Sequence, residues 1–209
     1  MTREFWNERF GSDEYAYGTA PNTFIAEEAD RIPPGRVLCL AEGEGRNAVF
    51  LATRGHTVTA VDFSRAGLEK TERLARARGV TVELVEADLA TYVLPQGAFA
   101  GIVSVYAHVP PEVRRRIHKE VTEALQPGGV FLLEGYSVGQ LERSTGGPKD
   151  KSLLLTVDEV QEELQPLETP VAREVDRDIQ EGRFHSGLSL TVQIVAVRSR
   201  GLGSPGTTA

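Results

Sequence analysis

The sequence predicts an α/β fold, a mostly parallel sheet covered by helices on both faces. Three observations predict it. Short apolar runs bounded by glycine or proline alternate with helical periodicity between Arg36 and Glu134. The connections between them are short, as strands joined through crossover helices require. Two later runs, Thr169 to Ile179 and Leu188 to Val197, follow one another with no helix between them and are expected to pair antiparallel.

Residues 3–20 mix charges with Phe5, Trp6, Phe10, Tyr15 and Tyr17. This segment is either a helix anchored on the core by Phe5 and Trp6 or a lid that keeps water from a site below it. Pro21 to Ile32 reads as a short helix with Phe24, Ile25, Ala29 and Ile32 inward, so residues 1–32 form an N-terminal helical lid region. Val37 to Leu40 follows Pro33-Pro34-Gly35 and is too brief for a helix, so it is a buried strand. It ends in Ala41-Glu42-Gly43-Glu44-Gly45, where two glycines permit a sharp turn and close approach of a ligand to the backbone. A helix with Ala48, Leu51 and Ala52 on one face stops at Gly55, and a second strand, Thr57 to Val61, delivers Asp62.

Ser64 is placed to cap a helix carrying Leu68, Leu74 and Ala75 as far as Gly79. Val80 to Val85 is the third strand and leads to Asp88, either a turn residue or a ligand contact. Ala100 to Tyr106 is the fourth, followed by His108 and by Pro110-Pro111, which start a helix with Val113, Ile117, Val121 and Leu125 on one face. Arg114, Arg115, Arg116 and Lys119 are expected on its wet side. Gln126-Pro127-Gly128-Gly129 stops that helix before the fifth strand, Val130 to Glu134. Tyr136 to Lys151 reads as a long loop, and Thr156-Val157-Asp158-Glu159 as a capping box opening a helix to Leu164. Residues 1–198 are expected to form one domain and 199–209 a disordered tail.

Hydrophobic residues make up 40% and charged residues 25% of the 209, which excludes a disordered or fibrous chain. A formal charge of −7 and pI near 5.2 give no pull toward nucleic acid or anionic membrane. No apolar run approaches the roughly 18 residues of a membrane span, MTREFWNERF has no signal-peptide core, and the single Cys39 forms no internal disulfide. A cytoplasmic monomer or homodimer acting on a small molecule is expected.

The glycine turn also fits G-x-G-x-x-A, with Asp62 at about the distance that holds a ribose of NAD. Charge argues against that ligand, because Glu42 and Glu44 would repel a diphosphate at the helix N-terminus. S-adenosylmethionine (SAM) carries a sulfonium, an ammonium and one carboxylate, and suits an acidic turn better. The motifs VLCLAEGEGRN, VTAVDFS, EADL and LQPGGVFLLE together resemble those of class I SAM-dependent methyltransferases, over roughly residues 21–198. GRN, the WNERF…YAYGTAPN segment and the GGPKD loop are similar to the small tellurite-resistance and thiopurine-methyltransferase-like group. The resemblance implies a Rossmann-like three-layer sandwich with a seven-stranded, mostly parallel sheet of order 3-2-1-4-5-7-6, its last strand antiparallel.

The resemblance also implies roles. Gly43 and Gly45, with Ala41, Glu42, Arg46 and Asn47, would surround the methionine moiety of SAM; Asp62 would accept both ribose hydroxyls. Phe63 would cover the adenine, Asp88 and the Leu89 amide would read its edge, and Ser64 and Tyr17 would complete the cofactor site. The sequence departs from the family pattern at Cys39, where an acid is usual, and at Ala41, where a glycine is; Glu42 is placed to take over the acid's part. Tyr106 to His108 would line the path to the acceptor. His108 is either a general base or a capping residue; Arg183 and His185 are either ligands of an oxyanion acceptor or a polar turn. No metal is called for. The competing readings are an NAD(P)-binding oxidoreductase and a non-catalytic SAM-binding module, and the acceptor is left open among oxyanions, thiols and small metabolites.

Overall fold

Alternation along the strands decides the layering. In the computed structural model, which describes residues 2–201, Leu38 and Leu40 of β1 (Arg36–Leu40) point to one face of the sheet while Val37 and Cys39 point to the other. The first face packs Ile102 and Phe131 against Ile117 and Val121 of α5 (Pro111–Ala124) and Val160 of α6 (Val157–Glu163). The second packs Val58, Ala60 and Leu132 against α2 (Thr23–Glu28), α3 (Arg46–Thr53) and α4 (Arg65–Ala77) through Phe24, Ile25, Leu51 and Leu74. Each such side chain, buried fully, stabilises the fold by about 1.5–3 kcal/mol.

The sheet has seven strands in the order β3-β2-β1-β4-β5-β7-β6. β2 (Thr57–Asp62), β3 (Glu83–Glu86), β4 (Phe99–Val105) and β5 (Leu125–Tyr136) run parallel to β1. β7 (His185–Val197) lies antiparallel between β5 and β6 (Glu168–Glu181). Leu40 is level with Val61 on one side and with Ser104 on the other. The three chain segments that leave β1, β2 and β4 therefore emerge together, at the point where the strand order reverses and ligands of such sheets bind.

The expected elements form, with corrections at their edges. β3 begins at Glu83, later than Val80, because the Val80 amide is held by the Ala75 carbonyl at the end of α4 (3.0 Å). β5 begins at Leu125, earlier than Val130, because Leu125 already pairs with Phe99 of β4 and the proline–glycine stretch is taken up in a register shift before Val130 meets Gly101. The connection expected over 180–187 zips into the hairpin, with Glu181 opposite His185. Within the long loop, Val138–Glu142 and Lys151–Leu153 form 3₁₀ turns. Arg114 is not on a wet face: it is buried and makes a forked pair with Glu163 on α6 (2.8–3.1 Å), which His118 Nδ1 also meets at 2.7 Å. Residues 199–201 carry no regular structure, and the rest of the expected tail lies outside the described residues. Among the described residues no helix is long and apolar enough to cross a membrane.

Candidate active site

A cavity of about 310 Å³ opens above the carboxyl ends of β1, β2 and β4 and is roofed by the N-terminal segment. Its floor is the turn after β1. Gly45, in the left-handed region (φ +88°), is the N-cap of α3 and supplies no side chain to cap it. A Cβ there would stand 2.5 Å from Thr71 Cγ2, so Gly45 serves the packing of α3 against α4 and does not line the cavity. Glu42 caps α3 in its place: Oε1 accepts from the Asn47 and Ala48 amides, each at 2.8 Å. Burial pushes the Glu42 carboxyl from its usual 4.5 up to about 7, against the pull of those amides and of Arg46. Cys39 lies against Glu42, and burial holds its thiol well above the ordinary range. Arg46 is buried, donates through Nη2 to Glu181 Oε2 (2.7 Å), lines the cavity, and keeps its buried Nη1 without a hydrogen-bond partner.

Ala41 sits at φ +49° and Tyr106 at φ +52°, the two non-glycine residues with positive φ among those described. They follow β1 and β4 and both line the cavity. The turn needs the left-handed conformation that glycine adopts freely. Ala41→Gly is therefore expected to raise stability by about 0.5–1 kcal/mol after the entropy of the freer unfolded chain is set against it. Denaturant melts check this, and a destabilised variant would contradict it.

Asp62, at the end of β2, accepts from the Gly43 amide through Oδ2 (2.8 Å) and from the Ser64 amide through Oδ1 (2.7 Å). Burial raises its carboxyl, and those amides oppose the rise. Asp62 also lines the cavity, and a carboxylate oxygen can accept more than one bond. Phe63 is half-buried and lines the same wall. Ser64 is buried away from the cavity: its hydroxyl caps α4 at the Gly67 amide (3.2 Å) and donates to Asn7 Oδ1 (2.7 Å). Asp88 accepts from the Ala90 amide (2.8 Å), a turn role, while it and Leu89 also line the cavity. Asn47 lines it too, and its Oδ1 accepts from the Asn22 amide (2.9 Å).

At the far end the Tyr106 ring lies 4.8 Å from Tyr136, and the His108 ring 5.9 Å from Tyr136 and nearly parallel to it. Burial, aided by the Glu134 and Glu181 charges, holds the Tyr106 phenol well above its usual value, so it stays neutral. Behind these rings lies a buried charge network that sequence reasoning did not find. Glu134 accepts from Asn22 Nδ2 (2.5 Å), Arg177 Nη1 (2.6 Å), Thr191 Oγ1 (3.0 Å) and Gln193 Nε2 (3.1 Å). Glu181 accepts from Asn22 and Arg46.

The roof is α1 (Arg3–Phe10) and the chain after it. Trp6 stacks on Phe10 (5.3 Å), and the Phe10 ring presses on the glycine turn, 3.1 Å from where a Gly43 Cβ would stand. Trp6, Phe10 and Tyr17 line the cavity; Tyr15 does not, lying instead under the Lys70 and Arg73 cations. The β6–β7 tip crosses over this segment. A Cβ on Gly182 would meet Ala16 O and Gly18 N at 2.6 Å, and the Arg183 amide donates to Ala16 O (3.0 Å).

Two sequence-based roles need correction. Arg183 faces an outer groove, its guanidinium over the Phe184 ring (5.5 Å), and does not reach the cavity. Glu44 lines the cavity, but its charge is not free: its carboxylate is paired with Lys70 Nζ (2.6 Å) and accepts from the Ala16 and Tyr17 amides (3.1 and 3.3 Å). His185 begins β7, and its side chain lies outside the described residues. Among the described residues no cluster of His, Cys, Asp and Glu could hold a metal ion.

Residues 37–129 match the family described as a methyltransferase domain. The chain is 26% identical over 117 residues to 2-heptyl-1-hydroxyquinolin-4(1H)-one methyltransferase of Mycobacteroides abscessus, covering 54% of this chain and 52% of that one. It is 34% identical over 102 residues to demethylmenaquinone methyltransferase of Thermus thermophilus, covering 48% and 46%. The chain thus spans about half the length of the curated relatives it matches. TehB from Haemophilus influenzae shares the fold, with a TM-score of 0.73 at 20% identity over 92% of this chain and 67% of that one.

Proposed function

We propose that the chain is a class I SAM-dependent methyltransferase that moves the sulfonium methyl of SAM to a small, uncharged ring compound, a reading supported by the methyltransferase-domain match over residues 37–129 and by the two methyltransferases it is similar to. The observation that carries the cofactor part is Glu42. Its carboxylate already occupies the N-terminal amides of α3, where the diphosphate of a dinucleotide would have to rest. A ligand with an ammonium fits beside it. The buried, unpartnered Nη1 of Arg46 suits the methionine carboxylate, Asp62 suits the ribose hydroxyls, and Phe63 suits the adenine face.

When bound, SAM supplies an electrophilic methyl on a cationic sulfur. The chain's own part is then to align the acceptor and exclude water. Trp6, Phe10 and Tyr17 roof the cavity, and the neutral Tyr106 phenol and the His108 ring face its far end. His108, half-buried there, is placed to take the proton an acceptor hydroxyl gives up. An inorganic oxyanion is disfavoured because the nearby cations are engaged: Arg177 by Glu134 and Arg46 Nη2 by Glu181, with Arg183 outside. The two curated relatives are named for 2-heptyl-1-hydroxyquinolin-4(1H)-one and for demethylmenaquinone, which supports a ring acceptor.

Calorimetric titration with S-adenosylhomocysteine and with NADH tests the cofactor part, since binding of NADH alone ends it. Release of S-adenosylhomocysteine from SAM in the presence of hydroxyquinolines, quinols, thiols or tellurite tests the acceptor part. Turnover with tellurite alone would overturn the uncharged class.

A pH dependence follows from Glu42. Its carboxyl is raised from 4.5 to about 7, so in the free protein the charged form is disfavoured. That contribution to stability is present below pH 4.5 and lost as pH rises through about 7. An ammonium beside it expels the proton. Affinity for S-adenosylhomocysteine is therefore expected to rise up to about tenfold per pH unit below 7 and to level off above it. Titration between pH 5.5 and 8 checks this, and Glu42→Gln should flatten the slope. A flat wild-type profile would remove Glu42 from the ammonium.

A further inference from the structure

Between Gly43 on the cavity floor and Gly45 at the start of α3 stands a buried acid, Glu44, whose carboxylate is tied to the roof. Glu44 is 4% exposed and Lys70 5%. Its carboxylate accepts from Lys70 Nζ at 2.6 Å and from the Ala16 and Tyr17 amides, and Lys70 also donates to Glu14 O at 2.5 Å. The contacts to the Ala16 and Tyr17 amides start at Glu44 itself, and the contact to Glu14 runs through its partner Lys70, so this segment of the roof is tied to a residue flanked by Gly43 and Gly45. On the other side, Tyr17 lines the cavity, and its hydroxyl is reached by Arg9 Nη1 at 3.4 Å. Arg9 in turn lies 3.9 Å over the Phe184 ring on the hairpin tip. Turn, roof and tip are one chain of contacts.

We propose that Glu44 is a positioning residue that couples the glycine turn to the roof, so that a cofactor resting on the turn draws residues 14–18 closed and sets Tyr17 over the acceptor. This rests on the cofactor reading above. A backbone fixed by a ligand at Gly43 fixes the Glu44 carboxylate, and a carboxylate fixed there lowers the cost of ordering the two amides it receives. The enzyme would then take its acceptor only after SAM.

The test uses S-adenosylhomocysteine as the probe and hydrogen exchange as the readout, with no acceptor needed. In the wild-type chain the probe should slow exchange at residues 60–64, beside Asp62, and at residues 14–18. In Glu44→Ala it should still protect 60–64, while the probe-induced protection of 14–18 falls at least tenfold. The ratio with and without probe is what counts, because a merely structural role would raise exchange in both states and leave the ratio unchanged. The chain's single tryptophan, Trp6, sits in the roof and gives a second signal: its fluorescence response to the probe should shrink in the variant. If Glu44→Ala does not fold, the Glu44→Gln/Lys70→Met pair removes both buried charges together and is read the same way. Full protection of 14–18 in the variant overturns the coupling, as does a wild-type chain protected at 60–64 alone. A wild-type chain protected at neither segment overturns the cofactor reading, and the coupling with it.

Discussion

Glu134→Ala is expected to destabilise the protein by about 3–5 kcal/mol, the largest effect of any single substitution considered. Glu134 is 1% exposed and accepts from four side chains of a buried network. Without it the Arg177 guanidinium, whose Nη1 lies 2.6 Å from both carboxylate oxygens, keeps only Glu181 at 4.0 Å. Asn22 Nδ2, Thr191 Oγ1 and Gln193 Nε2 lose the same acceptor. The cost comes from leaving a buried charge uncompensated, not from the intrinsic worth of the pair. Glu134→Ala with Arg177→Met is therefore expected to cost less than the sum of the single changes. Denaturant unfolding of the four proteins measures both quantities. A loss under about 1 kcal/mol in Glu134→Ala would mean that water replaces the carboxylate and that the network does not hold the hairpin to the turn.

This network also shows why part of the site was invisible in the sequence. The strands, helices and stops were readable because their signals are local: a β-period run before a glycine turn, Ser64 and Thr156 at cap positions, Pro111 at the start of α5. The cavity's outline followed, since strand ends in such a sheet converge. Asn22, however, meets Glu134 and Glu181 across 112 and 159 residues, and no spacing rule reaches that far. Glu44 and Arg114 failed for a related reason. Neither the turn nor helix periodicity says whether a partner waits for a charge: Glu44 was read as facing a ligand and Arg114 as facing water, whereas Lys70 and Glu163 pair with them. Arg183 was read into the site because a hairpin loop was expected where the strands in fact continue, which carries the tip over the roof and turns that side chain outward. The one available hint was compositional. Glu134 follows the apolar Val130-Phe131-Leu132-Leu133 run near the end of β5, where a polar residue needs a buried partner.

Asp62→Ala is expected to weaken binding of S-adenosylhomocysteine by about 1.5–3 kcal/mol, roughly 10- to 150-fold in Kd. The carboxylate has two tasks, and the experiment has to separate them. It holds the Gly43 and Ser64 amides, one on each oxygen, and so shapes the turn that carries Glu42. It also lines the cavity, where vicinal hydroxyls of a ribose would donate to its remaining lone pairs. Loss of the first task alone would lower affinity for any ligand of the cavity. Loss of the second lowers it only for ligands that bring those hydroxyls. Titrating wild type and variant with S-adenosylhomocysteine and with its 2′-deoxy derivative distinguishes the two. If Asp62 accepts the hydroxyl, removing that hydroxyl costs the wild type at least about 1 kcal/mol more than it costs the variant. Equal losses would leave Asp62 as a turn residue, and the ribose would have to be read by the backbone around it.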